Sequence, residues 1–487
     1  TPQALEKVLS ADHLERLNHS YGKSFPDVAR AMLGYFPHPP DLVAFPTNQA
    51  EVVSVVDWAD QNNVAVIPYG GGSSVCGGVE TDVGDSYSGV ISLDLRNLNR
   101  VLEIDKESRA ARIQAGIFGP ALEEELKKSN LTLRHFPQSF EHSTLGGWIA
   151  TRSGGHFATL YTHIDDFVES TTMVTPTGVI ESRRLPGSGA GPSPDRMVIG
   201  SEGILGVITE AWMRLQERPS FRASCPVLFD DYDKALNATR LISQSALFPA
   251  NCRLLDANEA LFNGAGDGSK NLLILSFESA DHEMDTWLNR ALEIASDEGG
   301  QFEIPQEKKV DAHKSGASGT WRNSFIRAPY YREASVRRGI IQDTFETSIT
   351  WDKGFEFIKI LKEKAAEAIK EISGKESTVT CRLTHTYPDG LAPYFSYSAY
   401  ATPSTMIDVW KEIKLMTNEM CVSAGGTVTH HHAVGRDHRI KGYDLQRPEG
   451  FKDMLVAAKQ GIDPKSIMNP GVLVDPKGFK HKHWMDT

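Results

Sequence analysis

Long hydrophobic runs are missing from this chain of 487 residues. No stretch approaches the ~18 consecutive apolar residues that a membrane span needs. The opening segment, Thr1 to Ser10, lacks the charged start and apolar stretch of a secretory signal, and the closing His481 to Thr487 is not a peroxisomal tripeptide. Cysteine is scarce: Cys76, Cys225, Cys252, Cys381 and Cys421 are scattered, odd in number and contain no Cys-x-x-Cys pair. That argues against a structural zinc cage and a disulfide framework, and for a reducing compartment. Positive charge is in deficit, with a formal net charge of -12, which argues against a nucleic-acid partner because a phosphate-binding surface calls for surplus Lys and Arg. Internal repeats and low-complexity tracts are absent as well. What remains is ordinary globular composition, 40% hydrophobic and 23% charged, in a chain too long for one core. Two or more packed units are expected.

The first third alternates strands and helices. Asp41 to Pro46 reads as a short strand. Asn48, with Glu51 three residues later, marks a helix start, and Val52, Val55, Val56 and Ala59 form its apolar stripe. Ala65 to Ile67 is the next strand, and Val90 to Leu95 alternates as a half-buried strand does. Leu185 to Pro194 is a surface loop rich in Gly, Pro and Ser. From about Pro219 helices lengthen. Phe357, Ile360, Leu361, Ala365, Ala368, Ile369 and Ile372 give an amphipathic helix closed by Gly374. Thr378 to Tyr400 holds two strand-like segments around a Pro388-Asp389-Gly390 turn. A helix near Thr405 to Val422 and a strand-like Thr427 to Thr429 follow.

Three runs rich in glycine and hydroxyl side chains stand out. Pro68, Gly70, Gly71, Gly72, Ser73 and Ser74 leave the Ala65 strand, where glycines expose several backbone N–H groups to one anion. A pyrophosphate suits that geometry, although the segment alone is also an ordinary tight turn. It is neither a Rossmann fingerprint nor a P-loop. The second run holds Pro137, Ser143, Thr144, Gly146, Gly147, Thr151, Ser153 and Gly154. The third, Glu202, Gly203, Gly206, Val207 and Ile208, enters a strand. In the second half His430, His431 and His432 precede Ala433, Val434 and Gly435. On an extended strand they point alternately, so His430 and His432 share one face and His431 takes the other. A metal cluster or an exposed polar strand are the plain readings of such a triplet.

The three glycine runs resemble the FAD domain of the vanillyl-alcohol oxidase and p-cresol methylhydroxylase superfamily over roughly residues 40 to 215. There the first loop holds the pyrophosphate, and the others wrap the ribityl chain and isoalloxazine. With no histidine in the first loop, and Cys76 away from the family's attachment position, noncovalent FAD is expected. The histidine triplet before a small residue, Val and Gly resembles the alkyldihydroxyacetonephosphate synthase family, as do Cys252 to Asp256, Phe325-Ile326-Arg327, Phe345 to Ser348 with Trp351-Asp352, Thr380 to Arg382, Thr386-Tyr387, Tyr394-Phe395 and Met468 to Gly471. The Gly-Asp-Gly-Asn zinc motif of related 2-hydroxy-acid dehydrogenases is missing.

The resemblance implies an α+β protein: a helical lead-in over 1–38, a PCMH-type FAD-binding domain over 39–218, an α/β cap with a central antiparallel sheet over 219–429, and a segment over 430–487 returning to the FAD domain. It implies exchange of the acyl chain of an acyl-dihydroxyacetone phosphate for a fatty alcohol through a flavin N5 adduct. His431 and Tyr394 are assigned to proton transfer, Arg327 to substrate and intermediate, His430 and His432 to orientation or phosphate binding, and Arg253 to the cofactor side. No metal is assigned. Plainer roles stand beside these: Arg253 pairing with Asp256, Arg327 joining Arg322 and Arg332 on a solvated face, Tyr394 as a core aromatic. The stretch from Phe262 to Phe277 is compact where animal enzymes carry an apolar insertion. That leaves a dehydrogenase or oxidase of a hydroxy acid or alcohol as the alternative. The expected partner is a small-molecule or lipid phosphate, with peripheral membrane contact and a homodimer both compatible. The expected location is cytoplasmic for a bacterial-type enzyme and peroxisomal for a eukaryotic one.

Overall fold

In a computed structural model, which describes residues 5–161, 163–304 and 332–475, the chain builds two hydrophobic cores around three main sheets. Asn48 caps the Gln49–Gln61 helix by accepting from the Glu51 N–H, and Val52, Val55, Val56 and Ala59 are buried as their spacing predicts. That helix connects strands Leu42–Ala44 and Val64–Tyr69, which flank Gly89–Asp94 in parallel. The second sheet is antiparallel, in the order Val101–Asp105, Ala110–Gln114, Val207–Arg214, Val168–Thr175, Gly178–Glu181.

The Gly89–Asp94 strand is not half-buried as its alternation suggested: Ser92 and Asp94 are as inaccessible as Ile91 and Leu93. A strand between two parallel neighbours has both faces covered, and the buried Asp94 carboxylate is met by His19 Nε2 at 2.8 Å and by the Arg96 side chain. The Leu185 to Pro194 loop is exposed, as expected.

The third sheet is antiparallel, in the order Phe221–Phe229, Asn271–Ser279, Asn251–Leu255, Thr380–Thr386, Gly390–Tyr400, Ile340–Glu346, and the short Ile349–Thr350 strand pairs with Gly390–Tyr400. Helices Tyr232–Gln244, Asp285–Asp297, Trp351–Ser373 and Met406–Ser423 supply the apolar side chains that share a core with one face. Gly374 ends the longest of them at φ 73°. Because strand side chains alternate, Cys252, Leu254, Cys381, Leu383 and Phe395 enter that core. Their neighbours Arg253, Arg382 and Tyr394 take the opposite face, where Arg253 Nη2 donates to the His156 carbonyl from the first half of the chain at 3.2 Å. Arg134 and Glu278 form a buried ion pair across the same boundary.

After the Met406–Ser423 helix the expected Thr427–Thr429 strand does not form. The chain instead turns through His430–His432 and Ala433, the last at φ 70°. The final described residues return to the first core, with the Val66 N–H donating to Ile467 O and the Asn469 N–H to Val66 O. All five cysteines are free and buried. Among the described residues no helix is long and apolar enough to cross a membrane.

Candidate active site

A cleft opens where the three glycine runs meet. Of the residues predicted for the cofactor, Pro68, Gly70, Ser74, Thr144, Gly146, Gly147, Thr151, Glu202, Gly203, Gly206 and Ile208 line it. The others stand behind or beside it. Gly71 lets the first run touch the second, since a Cβ there would lie 1.7 Å from the His142 carbonyl oxygen. Gly72 lies against the Tyr69 hydroxyl. Ser143 accepts from Trp148 Nε1 at 2.7 Å, and Ser153 bonds His135 Nε2 at 2.8 Å. Val207 is paired in its strand, while Ser73 and Pro137 lie outside the lining. Gly154 abuts the His385 ring and the His431 Cβ, and Arg253 lies in the third sheet. The lining also includes Tyr69, Cys76, Gly78, Leu95, Ala433 and Asn469, which the sequence did not single out for this role.

The histidine triplet does not alternate between two faces. The backbone N–H groups of His430, His431 and His432 all donate to one oxygen of Glu346, at 3.1, 2.8 and 2.7 Å, and the Thr429 hydroxyl joins them at 2.7 Å. Such successive N–H groups form an anion-binding concavity, and an extended strand has no such convergence. The imidazoles follow: His431 Nδ1 lies 2.5 Å from Glu346 Oε2, and His432 Nδ1 3.6 Å from Oε1. Burial opposes a charge on Glu346, yet His431 and His432 outweigh it and hold the carboxyl well below its ordinary range. Burial likewise pushes His432 down to about 3 and His430 well below the usual imidazole range. Among the described residues, Glu346-His431-His432 and His385-His430-His431 bring ligand-type atoms within 4.8 Å of one another. Glu346 Oε1, however, is already engaged by four hydrogen bonds, and Oε2 lies against the His431 ring.

Tyr394 is buried, stacked on His431 with ring centroids 6.0 Å apart and edge-on to His432 at 5.3 Å. The Arg382 guanidinium covers its ring at 3.8 Å and pairs with Glu259. Tyr394 is therefore an aromatic of the site and not of the apolar core. Asp256 does not need Arg253: its carboxylate takes the N–H groups of Glu259 and Cys381 and the Lys362 ammonium. Arg327 lies outside the described residues. The sequence missed Glu346 and His385. Glu346 belongs to the Phe345–Ser348 motif, but nothing local marks a strand carboxylate as the partner of residues 85 positions away.

The triplet is stitched to the cleft. Glu202 accepts the Val434 and Gly435 N–H groups at 2.8 and 2.7 Å, Cys76 Sγ donates to His432 O, and Cys76 O accepts from Arg436 and Asp437. Burial outweighs those two donors and raises the Glu202 carboxyl to about 7. The unfolded chain releases this proton near 4.5, so Glu202 stabilises the fold fully below that pH and its contribution is lost as pH rises through 7. The span is on the order of 3 kcal/mol. Thermal melts of the apoprotein between pH 5 and 8 are expected to show this decline, and Glu202→Gln is expected to flatten it; an unchanged slope in the variant would contradict the assignment.

The interlocked glycines suit FAD. Side chains are excluded where the runs touch, whereas at Gly147 a Cβ meets only Thr144 Oγ1, at 3.5 Å, and the cleft side stays open for a cofactor. Residues 40–182 match the FAD binding domain family, and residues 218–473 match the C-terminal domain of FAD linked oxidases. A solved p-cresol methylhydroxylase with substrate bound superposes with a TM-score of 0.72 at 14% identity, over 98% of this chain and 96% of that one, which establishes the fold. Fold and cleft define an FAD-dependent enzyme of the p-cresol methylhydroxylase type.

More specific similarity comes from the alkyldihydroxyacetonephosphate synthase of Dictyostelium discoideum, 32% identical over 96% of this chain and 79% of that protein. A solved alkyldihydroxyacetonephosphate synthase gives a TM-score of 0.78 at 29% identity, over 96% of this chain and 82% of that one. The mitochondrial cytochrome-dependent D-lactate dehydrogenase of Arabidopsis thaliana is 27% identical, over 97% of this chain and 79% of that protein. The chain belongs to the alkyldihydroxyacetonephosphate synthase family, and it acts on a small-molecule substrate.

Proposed function

We propose that the enzyme replaces the acyl chain of an acyl-dihydroxyacetone phosphate with a fatty alcohol, releasing the fatty acid with no net change of oxidation state. The observation that carries this reading is the convergence of three successive histidine backbone N–H groups on one buried carboxylate, with the His431 ring against it, beside a cofactor cleft that all three glycine runs share with the triplet loop. When bound, FAD supplies a reversible electron acceptor at its N5 position.

The chain's own residues handle protons and orientation. Glu346 accepts only, so the His431 nitrogen 2.5 Å away carries its proton and Nε2 keeps a lone pair. His431 is then the base for a proton next to the substrate ketone, with Tyr394, against its ring, sharing the transfer. His430 and His432 orient it. Arg327 is assigned to the phosphate, which a guanidinium holds bidentately, on the resemblance alone. Pro68, Gly70, Ser74, Thr144, Gly147, Glu202 and Gly203 are assigned to FAD, held without a covalent bond.

The second reading, FAD-linked oxidation of a hydroxy acid or alcohol, is favoured by the compact cap. Between the Asn251–Leu255 and Asn271–Ser279 strands there is room only for the Ala257–Phe262 helix and a turn. Anaerobic mixing separates the two. With palmitoyl-dihydroxyacetone phosphate and hexadecanol, alkyl product and palmitate are expected while the flavin stays oxidised at the end of turnover. Bleaching by a 2-hydroxy acid, with no alkyl product, would replace the synthase reading by the second.

A further inference from the structure

Hydrogen bonds run in series away from the His431 imidazole and join three separate parts of the chain. His431 Nδ1 lies 3.2 Å from His430 Nδ1, His430 Nε2 lies 2.9 Å from the Tyr387 hydroxyl, and that hydroxyl lies 2.5 Å from His163 Nε2. Tyr387 follows the Thr380–Thr386 strand of the cap, whereas His163 follows the second glycine run in the FAD-binding half. The His163 and His430 rings meet edge to face at 4.9 Å.

Donor and acceptor rules allow one consistent orientation along this series. The Glu346 carboxylate places a proton on His431 Nδ1. His430 Nδ1, facing that same N–H, accepts, so the proton of a neutral His430 sits on Nε2 and is donated to the Tyr387 oxygen. The Tyr387 hydroxyl hydrogen is then left for His163 Nε2. His163 keeps its own proton on Nδ1, consistent with its hydrogen bond to the backbone of Arg152. Burial keeps both outer imidazoles neutral by lowering His163 and His430, and raises the Tyr387 phenol. Charged and titratable neighbours of the series include Asp165 and Arg152 beside His163, Asp389 beside Tyr387, His385 beside His163, Tyr387, His430 and His431, and Glu346, Tyr394 and His432 beside His431.

We propose that Tyr387 and His163 are positioning residues that fix the tautomer of His430 and through it hold the His431 ring, whose Nδ1–H faces Glu346, in the orientation that leaves its Nε2 lone pair available to the substrate. The inference rests on the reading of His431 as the base. It also makes the base dependent on closure of the cap over the FAD-binding half, because the series is complete only when Tyr387 reaches His163. Neither residue touches the carboxylate that anchors the triplet, so removing one disturbs tautomer and orientation without removing the anchor.

The test uses the FAD holoprotein with histidines labelled with ¹⁵N, read by long-range proton–nitrogen correlation. The expected wild-type pattern is Nδ1–H at His431 and His163 and Nε2–H at His430. In Tyr387→Phe, His430 is expected to become a mixture of tautomers while the flavin spectrum and melting temperature stay unchanged. With palmitoyl-dihydroxyacetone phosphate and hexadecanol, kcat of Tyr387→Phe is expected to fall at least tenfold with KM within about twofold, since a wrongly held tautomer costs rate more than binding. His163→Leu is expected to behave like Tyr387→Phe, and His163→Gln, whose amide oxygen accepts from the tyrosine, to recover most of the rate. Nδ1–H at His430 in the wild type, or an unaltered pattern in Tyr387→Phe, overturns the proposal. So do wild-type kcat and pH profile in both Tyr387→Phe and His163→Leu. A wild-type protein inactive with these substrates sinks the synthase reading instead, and the tautomer pattern still decides this one.

Discussion

Replacing His431 with alanine is expected to leave the holoprotein yellow and folded while turnover falls about 10²–10⁴-fold, the span that a positioned general base contributes. His431 anchors nothing in the glycine cleft, and its backbone N–H, which binds Glu346, survives the substitution. What disappears is the ring whose Nδ1 meets Glu346 and whose face carries Tyr394. His430 and His432 are poor substitutes because burial lowers both, and their rings are placed differently around the carboxylate. Steady-state assay together with the flavin absorbance spectrum checks this. A variant retaining more than about a tenth of the wild-type rate would move the base elsewhere.

The second large effect is expected at Gly71→Ala, which should yield a colourless and less stable protein. The added Cβ would lie 1.7 Å from the His142 carbonyl oxygen and 2.6 Å from its carbon. Both are backbone atoms, so relief requires the first and second glycine runs to separate. Overpacking in a dense interior costs about 1–3 kcal/mol, and this contact belongs at the upper end. Separating the runs also widens the cofactor cleft. Loss of FAD then removes binding stabilisation worth about 4 kcal/mol when the cofactor is present at 1,000 times its Kd. Gly147→Ala is the control. A Cβ there has room, with Thr144 Oγ1 the nearest atom at 3.5 Å, so the apoprotein should melt as the wild type does while FAD binding weakens. Equal loss of stability in both variants would refute the distinction between a glycine that joins two loops and one that faces the cleft.

The two predictions separate the halves of the site, and sequence reasoning reached them unequally. The glycine runs were legible because their chemistry is local: a strand exit, small residues and hydroxyls within a few positions of one another. The cleft nevertheless recruits Asn469 from the end of the chain and Ala433 from the triplet loop. Cys76, beside the first run, turns out to hold that loop by its carbonyl and thiol. The histidine triplet was visible as chemistry, but its geometry was misread. Period-two alternation presumes a strand, and Glu346 overrides it by drawing three successive N–H groups to a single oxygen.

The same division runs through the fold. Local sterics and side-chain periodicity were enough to place the Gln49–Gln61 helix with its Asn48 cap, the long helix ending at Gly374, and the hairpin around Asp389, because each depends on residues no more than a few turns apart. Burial of Ser92 and Asp94, the meeting of Glu346 with His431, and the Tyr387–His163 contact were decided only by tertiary structure. Glu346 lies 85 positions from His431 and His163 lies 224 from Tyr387, and no local preference specifies which distant donor meets a buried carboxylate. That choice falls to the packing of the cap sheet against the FAD-binding half, where each buried polar group must find a partner or carry the cost of leaving water.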